Sequence, residues 1–357
     1  MDGRSIRHDR AETMNSNMDY APLDIRSLRD DLPSTCDLYI EEGGTRVLYR
    51  EASRPFTMAD RERLLSNGVS NLWIRIPKAE TPQSQQHLTT LLSQPNDRVP
   101  LLAKAGLLYT SAAAVTRQAI ANAESRETIA DLEELVSATV GYLACSRAAF
   151  PALLSVMLHD FSIYTHAINV AVYAIGLARF VGITDHQELR SIGFGAILHD
   201  VGKVRVPKKL LNKRTALSTK EWAIMRQHPA WGKEILSAAA DLPESALTIV
   251  VQHHERLDGS GYPEGIVGEQ LHQHSMIVAL VDAYDAMTSR RPYRIAHTPF
   301  SALSILKREI QGKLDPSLFP PLVRLLGTPS PQMSEPGTAE NSDGDHQFSS
   351  VHTHSCV

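Results

Sequence analysis

From residue 100 to residue 327 the sequence has the apolar periodicity of α-helices almost without interruption. Leu101 to Ala123 and Ile129 to Ala144 are rich in alanine and leucine, and further helical stretches follow between Tyr164 and Leu326, joined by short loops. A region of this length can bury a hydrophobic core of its own. We therefore predict an all-α domain over residues 100–327.

The preceding region has a different pattern, which predicts a small α+β module over residues 35–80. Asp37 to Ile40 and Arg46 to Tyr49 resemble two strands, and the turn sequence EEGGT separates them. Thr57 to Ser66 fits a short helix that Thr57 caps, and Asn71 to Ile76 resembles a further strand. The fold class is therefore mainly α, with a helical bundle after a small mixed module.

Three further segments lack any periodic pattern. Residues 1–34 are polar and charged, and residues 328–357 are rich in Pro, Ser, Gly and acidic residues, so we predict that both are disordered. Residues 81–99 begin with a Pro- and Gln-containing run, and we interpret them as a linker.

Composition excludes several classes of protein. The net charge of −4 lacks the basic excess of a protein that coats a nucleic acid polymer. The cysteines Cys36, Cys145 and Cys356 are too far apart for a disulfide framework or a thiolate zinc site. No signal peptide or membrane-spanning apolar run is evident. These features predict a cytoplasmic protein without a membrane span.

Residues that can bind metal ions follow three separate apolar segments of the helical region. His199 and Asp200 follow Ala-Ile-Leu, His253 and His254 follow Ile-Val-Val-Gln, and Asp282 follows Ile-Val-Ala-Leu-Val. A buried carboxylate is costly unless it is paired or binds a metal ion. Helices that converge in a bundle core can build a site for two metal ions. Nitrogen and oxygen ligands without sulfur suit iron, manganese or zinc.

Each of these residues, taken alone, is more often structural than functional. A single histidine on a helix is usually a core or surface residue. An adjacent His-Asp pair is weak evidence for a metal site, because such dipeptides also occur by chance. The case for a metal site depends on three apolar helices carrying such residues together.

The segments HDVGK, HHERLDGSGYP and DAYDAMTSRRPYR occur in this order, and the chain resembles the HD-GYP subgroup of the HD superfamily over roughly residues 150–325. The resemblance implies an all-α bundle with a metal centre that hydrolyses cyclic di-GMP. Asp200 is similar to the carboxylate that bridges two metal ions in this family. The implied metal ligands are His166, His199, Asp200, His228, His253, His254 and Asp282.

The number of metal ions follows from one departure from the family pattern. Some members have a glutamate four residues before the first histidine, where it supports a third metal ion, and this chain has Ser162 there. We therefore predict two divalent metal ions, with iron first, manganese next and zinc third. A pair of metal ions suits phosphodiester hydrolysis, because it stabilises both the attacking and the leaving oxygen.

Catalytic roles are expected for Asp200, Lys203 and Asp285. Lys203 matches the family lysine that contacts the scissile phosphate, and it could also protonate the leaving oxygen. Asp285 lies one turn after Asp282 and could orient a metal ligand or Lys203. Gly202 is expected to leave space for substrate to approach the metal ions.

Substrate binding is expected from Lys203, Tyr262, Arg291 and Arg294. Tyr262 offers a flat ring to a guanine base, and the two arginines can donate paired hydrogen bonds to phosphate or guanine edges. For Tyr262 the competing interpretation is an aromatic residue that packs a loop.

Two alternatives to cyclic di-GMP hydrolysis stay open. The first is an HD-type hydrolase of another nucleotide or cyclic dinucleotide, such as cyclic GMP-AMP. The second is a cyclic di-GMP-responsive signalling protein with little turnover, which would be expected to lose metal ligands. The complete ligand set favours an enzyme of bacterial second-messenger signalling, and the N-terminal module could contact other signalling proteins.

Overall fold

The computed structural model describes residues 18–25, 32–33, 36–52, 54–77, 100–157, 162–213, 215–239, 242–289 and 296–327. The predicted linker at 81–99, the predicted tail at 328–357 and the first part of the predicted disordered N-terminus lie outside these residues. Arg291 and Arg294 also lie outside them.

The N-terminal module is a four-stranded antiparallel sheet with one helix and a separate two-stranded pair. The elements are β1 (Met18–Asp24), β2 (Leu32–Pro33), β3 (Leu38–Glu42), β4 (Thr45–Arg50), β5 (Pro55–Phe56), α1 (Met58–Ser66) and β6 (Asn71–Pro77). The order of the large sheet is β1-β6-β3-β4, and β2 pairs with β5. The predicted strands and helix of this module lie where the sequence placed them, within one or two residues.

Strand β1 corrects the prediction of disorder over residues 1–34. It pairs with β6 along its whole length, from Met18 opposite Pro77 to Asp24 opposite Asn71. Ala21, Leu23 and Ile25 are buried at alternate positions, as expected for one face of a strand. This alternation is short and is set among polar residues and a proline. Its hydrogen-bonding partner is also far away in sequence, so the local pattern did not reveal it.

Helix α1 begins as predicted. The side chain of Thr57 accepts a hydrogen bond from the backbone of Asp60, and the Asp60 side chain bonds back to the Thr57 backbone. This is a capping box, which satisfies two backbone donors at the helix start. The Asp60 carboxylate also accepts hydrogen bonds from Arg50 of β4 at 2.5 Å and from Tyr49 at 3.1 Å. The capping residue therefore links α1 to the sheet.

The helical region is a bundle, and the fold class is as predicted. Its helices are joined by short turns that include 3-10 segments at Val201–Arg205, Gly268–Gln270 and Pro316–Leu318. The helices are α2 (Leu101–Ala121), α3 (Arg126–Cys145), α4 (Ala149–Val156), α5 (Ile163–Phe180), α6 (His186–Leu198), α7 (Lys208–Leu211), α8 (Thr219–Met225), α9 (His228–Ala239), α10 (Glu244–Gln252), α11 (Gln273–Thr288), α12 (Pro299–Glu309) and α13 (Phe319–Leu326).

Helix α2 packs on both the sheet and the bundle. It contacts β1 and β6 on one side and α3, α4 and α5 on the other. At Gly106 the backbone approaches the sheet so closely that a Cβ atom there would lie 2.8 Å from Cβ of Ala21. One continuous cluster of buried side chains therefore runs from the sheet into the bundle.

Close helix packing brings the predicted metal-binding segments together. Helix α6 ends beside His199, and α10 ends beside His253. The two helices meet at Gly195 of α6, where a Cβ atom would lie 2.6 Å from Cβ of the fully buried Ile249. The absence of a side chain at Gly195 thus sets the approach of two helices that carry site residues.

None of the helices in the described ranges combines the length and the apolar character that a membrane crossing requires.

We predict that Gly195→Ala lowers the stability of the protein by roughly 1–2 kcal/mol. Overpacking against Ile249 costs more than the gain of about 1 kcal/mol that alanine brings to a helix interior. Thermal unfolding measures the change. Gln187→Ala, at an exposed position in the first turn of the same helix, is the control and should leave the melting temperature unchanged. A Gly195→Ala protein as stable as the parent would contradict this account of the packing.

Candidate metal centre

Three buried histidines share one local arrangement at helix ends. In each, the ring Nδ1 lies within hydrogen-bond distance of the backbone carbonyl three residues earlier. Since a carbonyl only accepts, Nδ1 carries the proton and donates it, and the neutral ring presents a lone pair at Nε2. The pairs are His199 with Ala196 at 2.6 Å, His228 with Met225 at 2.8 Å, and His253 with Val250 at 2.9 Å.

The first group of possible ligand atoms comes from Asp200, His228, His253 and His254, which all lie within 4.8 Å of one another. Nε2 of His228 lies 3.3 Å from Nε2 of His253 and 3.2 Å from Oδ1 of Asp200. When both rings are neutral, their lone pairs face each other and the carboxylate without a proton between them. A cation is the species that makes this arrangement favourable.

The second group consists of His166, His199 and Asp282, again within 4.8 Å of one another. Nε2 of His166 lies 3.1 Å from Oδ1 of Asp282, and the rings of His166 and His199 are in edge contact with centroids 5.2 Å apart. These side chains come from α5, α11 and the end of α6, so three elements of the bundle meet at this group.

Asp200 connects the two groups. Its Oδ1 faces His228, and its Oδ2 lies 3.3 Å from Nε2 of His199 in the second group. Oδ2 is also 2.5 Å from Nζ of Lys203, one turn further along the chain. One carboxylate therefore presents an oxygen to each group, so Asp200 could be shared between ions held by the two groups.

Asp285 contacts Nδ1 of His166, the ring nitrogen that faces away from Asp282. Its Oδ2 accepts a hydrogen bond from Nδ1 of His166 at 2.7 Å and one from Oγ of Ser289 at 3.0 Å, and its Oδ1 accepts from Nδ2 of Asn169 at 3.0 Å. Carboxylates that receive the second ring nitrogen of a ligating histidine fix its orientation and raise its basicity. Of the two roles considered for Asp285, orientation of a metal ligand is the one that its contacts support.

Burial keeps two of the imidazoles neutral. Burial lowers the pKa of His254 to about 3. Burial, with the neighbouring His254 and His199, also lowers the pKa of His253 well below its ordinary value. Neutral imidazoles are the form that binds metal ions, so these rings need lose no proton at physiological pH.

His166 has the opposite electrostatic environment. Burial alone would lower its pKa, but hydrogen bonds to Asp282 and Asp285 outweigh burial and raise the pKa to about 10. Burial would likewise raise the pKa of Asp200, but the ammonium group of Lys203 helps to hold it well below its ordinary value. The site thus holds carboxylates in their charged form and attracts positive charge.

Buried atoms without a hydrogen-bond partner test whether metal ions fit this site. Within the described part of the chain, Nε2 of His199 and Oδ1 of Asp200 are both buried and lack such a partner. An unsatisfied buried polar atom costs about 1–3 kcal/mol. Both atoms belong to the ligand groups, and both are atoms that a divalent cation binds, so the residues fit a metal centre of nitrogen and oxygen ligands.

Tyr262 lies at the edge of the centre. Its ring packs on that of His254 with centroids 4.7 Å apart, and the Arg226 guanidinium lies 5.4 Å from the ring centroid. The loop that carries it is held by Glu255, whose Oε1 accepts hydrogen bonds from the backbone of Glu264 at 2.7 Å and Gly265 at 3.1 Å. The aromatic face is therefore placed beside the ligands by contacts within the protein.

Gly202 has a different role from the one expected. A Cβ atom at this position would lie 1.9 Å from the backbone oxygen of His228 and 2.6 Å from the backbone nitrogen of Gly232. The absence of a side chain allows the Val201–Arg205 segment to pack on the start of α9. Gly202 thereby brings Asp200 close to His228, and backbone packing rather than substrate access explains the glycine.

Sequence comparison decides the family. The HD domain family matches residues 158–318. The chain is 30% identical over 287 residues to the cyclic di-GMP phosphodiesterase PA4108 of Pseudomonas aeruginosa, covering 76% of this chain and 68% of that protein. The chain belongs to the HD-GYP family. The predicted resemblance is confirmed, and with it the expectation of a divalent metal centre in an HD domain.

Two other relatives extend the comparison. The 3'3'-cGAMP-specific phosphodiesterase 3 of Vibrio cholerae is 33% identical over 187 residues, which cover 52% of this chain and 39% of that protein. The solved structure of Bd1817, an HDG"Y"P protein from Bdellovibrio bacteriovorus, superposes with a TM-score of 0.60 and 19% identity. It covers 87% of this chain and 100% of that protein, so the common fold extends beyond the HD domain.

Several residues of this HD-GYP site were not singled out from the sequence. Asn169 and Ser289 bind Asp285, Glu255 holds the Tyr262 loop, and Tyr109 reaches Asn169 from α2. Asn169 follows His166 by three residues, so helical periodicity places it on the same face. Ser162, at the position where some HD-GYP proteins have glutamate, caps α5 by accepting the Thr165 backbone N–H at 3.0 Å.

We predict that Asp285→Asn weakens divalent metal binding by about 10–100-fold, because an amide is a poorer partner for Nδ1 of His166 than a carboxylate. Titration of the metal-free protein with Mn²⁺ measures the change. Asp185→Asn, which keeps a capping side chain at the opposite end of α6 from His199, is the control and should bind as the parent does. Parent-like affinity in Asp285→Asn would contradict the role assigned to Asp285.

Proposed function

We propose that this HD-GYP protein hydrolyses the phosphodiester bonds of cyclic di-GMP, to pGpG, GMP or both, as part of bacterial second-messenger signalling. The observation that carries the proposal is the placement of two ligand groups on either side of Asp200. The ligands implied for the family are all present in these groups. A relative named as a cyclic di-GMP phosphodiesterase, PA4108, aligns with 76% of the chain.

The proposed cofactor is a pair of divalent metal ions, with iron first, manganese next and zinc third. His228, His253 and His254 would hold one ion and His166, His199 and Asp282 the other, with Asp200 shared between them. When bound, such a pair supplies a Lewis-acidic centre that activates water and stabilises the charge that develops on the phosphate.

Lys203 is the proposed contact to the scissile phosphate. Its side chain is only partly buried, and Nζ lies 2.5 Å from Oδ2 of Asp200. The ammonium group therefore lies beside the ligands on a side that solvent can reach. From there it can bind a phosphate oxygen and give a proton to the leaving oxygen. General acid catalysis of this kind typically contributes 10²–10⁴-fold in rate.

Tyr262 is the proposed contact to a guanine base. Its ring is held against His254, and the Arg226 guanidinium lies over the ring, so the ring is fixed at the edge of the centre. Fixing the ring in advance reduces the entropy that base binding would otherwise lose. Arg291 and Arg294 stay predicted substrate contacts from the sequence motif that they occupy.

A second candidate substrate is cyclic GMP-AMP, because a relative that covers 52% of the chain is specific for it. Tyr262 offers a stacking face that either purine can use. The choice between cyclic di-GMP and cyclic GMP-AMP therefore depends on contacts to the base edges. Direct comparison of the two substrates decides between them.

The test is hydrolysis of cyclic di-GMP, cyclic GMP-AMP and cyclic di-AMP by anaerobically purified protein of known metal content. We expect cyclic di-GMP to have the highest kcat/KM. Lys203→Met should lower kcat by about 10²-fold or more while the metal content is unchanged, because the phosphate contact and proton donor are lost and all seven proposed metal ligands remain. Lys209→Met removes an exposed cation from the same basic segment and is the matched control.

A fully metal-loaded parent that hydrolyses none of these substrates would contradict the proposed activity. A higher kcat/KM for cyclic GMP-AMP would assign the second candidate substrate instead. Equal losses in Lys203→Met and Lys209→Met would show that Lys203 contributes only general positive charge.

A further inference from the structure

A chain of buried hydrogen bonds leads from α2 to the metal ligand His166. The hydroxyl of Tyr109 donates to Oδ1 of Asn169 at 3.0 Å, and Nδ2 of Asn169 donates to Oδ1 of Asp285 at 3.0 Å. The second oxygen of Asp285 accepts from Nδ1 of His166 at 2.7 Å. All four side chains are buried, so water does not compete for these bonds.

We propose that Tyr109 is a positioning residue of the metal centre and acts through Asn169 and Asp285 on His166. This inference rests on the proposed metal centre and adds to it a residue from outside the HD domain match at 158–318. Tyr109 touches no metal ligand directly in this chain of bonds. Its effect is on the orientation of the groups that hold His166.

The Asn169 amide has a defined direction in this chain of hydrogen bonds. A side-chain amide has one accepting and one donating end, and exchanging them reverses both contacts. The Asp285 carboxylate can only accept, so the Asn169 nitrogen faces it and donates to it, and with the amide exchanged two acceptors would repel each other. The Asn169 oxygen therefore faces the Tyr109 hydroxyl. The hydrogen bond that Tyr109 donates to this oxygen holds the amide in the position from which it donates to Asp285.

Asp285 in turn has a complete set of donors. Asn169 and Ser289 bond to it at 3.0 Å each, so the carboxylate is held in one rotamer with Oδ2 toward His166. A fixed carboxylate fixes the His166 ring, and Nε2 of that ring then faces Asp282 in the second ligand group. The affinity for the ion bound by His166, His199 and Asp282 should therefore depend on Tyr109.

The same helix carries the contact to the N-terminal sheet. Gly106 precedes Tyr109 by one turn, and its backbone packs against Ala21 and Ile74 of the sheet. Helix α2 thus has the sheet on one side and the hydrogen-bond chain on the other. The N-terminal module therefore packs on the helix that carries the positioning residue Tyr109.

The test is Mn²⁺ titration of the metal-free full-length protein, read by electron paramagnetic resonance of free Mn²⁺. In Tyr109→Phe we expect binding of one ion to weaken by about tenfold, while the other ion binds as in the parent. Tyr142→Phe is the matched control. It removes a hydroxyl that donates a hydrogen bond at 3.0 Å to the backbone oxygen of Leu101 and that lies outside this chain of bonds.

A double variant separates positioning from general destabilisation. If Tyr109 acts through Asp285, Tyr109→Phe should weaken binding much less in an Asp285→Asn background than in the parent. Thermal unfolding of both tyrosine variants checks that they are folded and similarly stable.

Unchanged Mn²⁺ binding in Tyr109→Phe would overturn the inference. So would an equal loss in Tyr142→Phe, or a loss that adds in full to that of Asp285→Asn. These readouts contain no nucleotide substrate. Failure of the protein to hydrolyse cyclic di-GMP would therefore contradict the proposed function and leave the result for Tyr109 to be judged separately.

Discussion

The structure depends on one electrostatic constraint, the burial of carboxylates among imidazoles at the ends of apolar helices. Asp200 is 4% exposed and has Nε2 of His228 on one side and Lys203 on the other. Such a set is unfavourable without positive charge, because each buried unpaired charge costs several kcal/mol. Backbone carbonyls accept hydrogen bonds from Nδ1 of His199, His228 and His253. Nε2 of each ring therefore points toward the ligand groups. The fold has thereby concentrated electron pairs where divalent ions bind.

The bundle and the N-terminal module both help to hold these side chains in place. Glycines at 195 and 202 let backbones approach closely enough to bring the ligand-bearing segments together. Helix α2 lies against the sheet through Gly106 and reaches Asn169 through Tyr109. The ligands are therefore held by their own helices, by donors and acceptors behind them, and by an element outside the HD domain. A change in the sheet that moves α2 would reach the metal centre through this path.

Much of this arrangement could be predicted from the sequence, because it depends on local patterns. The apolar periodicity gave the helices, and the HD and GYP segments indicated the ligands at the ends of those helices. Contacts between distant segments could not be predicted in this way. Strand β1 needs β6 as a partner, Tyr109 meets Asn169 across 60 positions, and Gly202 is explained by the backbone of His228. Each depends on packing that no local pattern encodes.

The most direct test of a shared centre is the magnetic coupling of ions in Mn²⁺-loaded protein, measured with metal content by electron paramagnetic resonance. The account predicts about two ions per chain with an exchange-coupled spectrum, since bridged ions in two-metal sites lie roughly 3.5–4 Å apart. In Asp200→Asn the coupling should be weakened or lost. A single bound ion, or two uncoupled ions in the parent protein, would contradict the claim that Asp200 joins the two ligand groups.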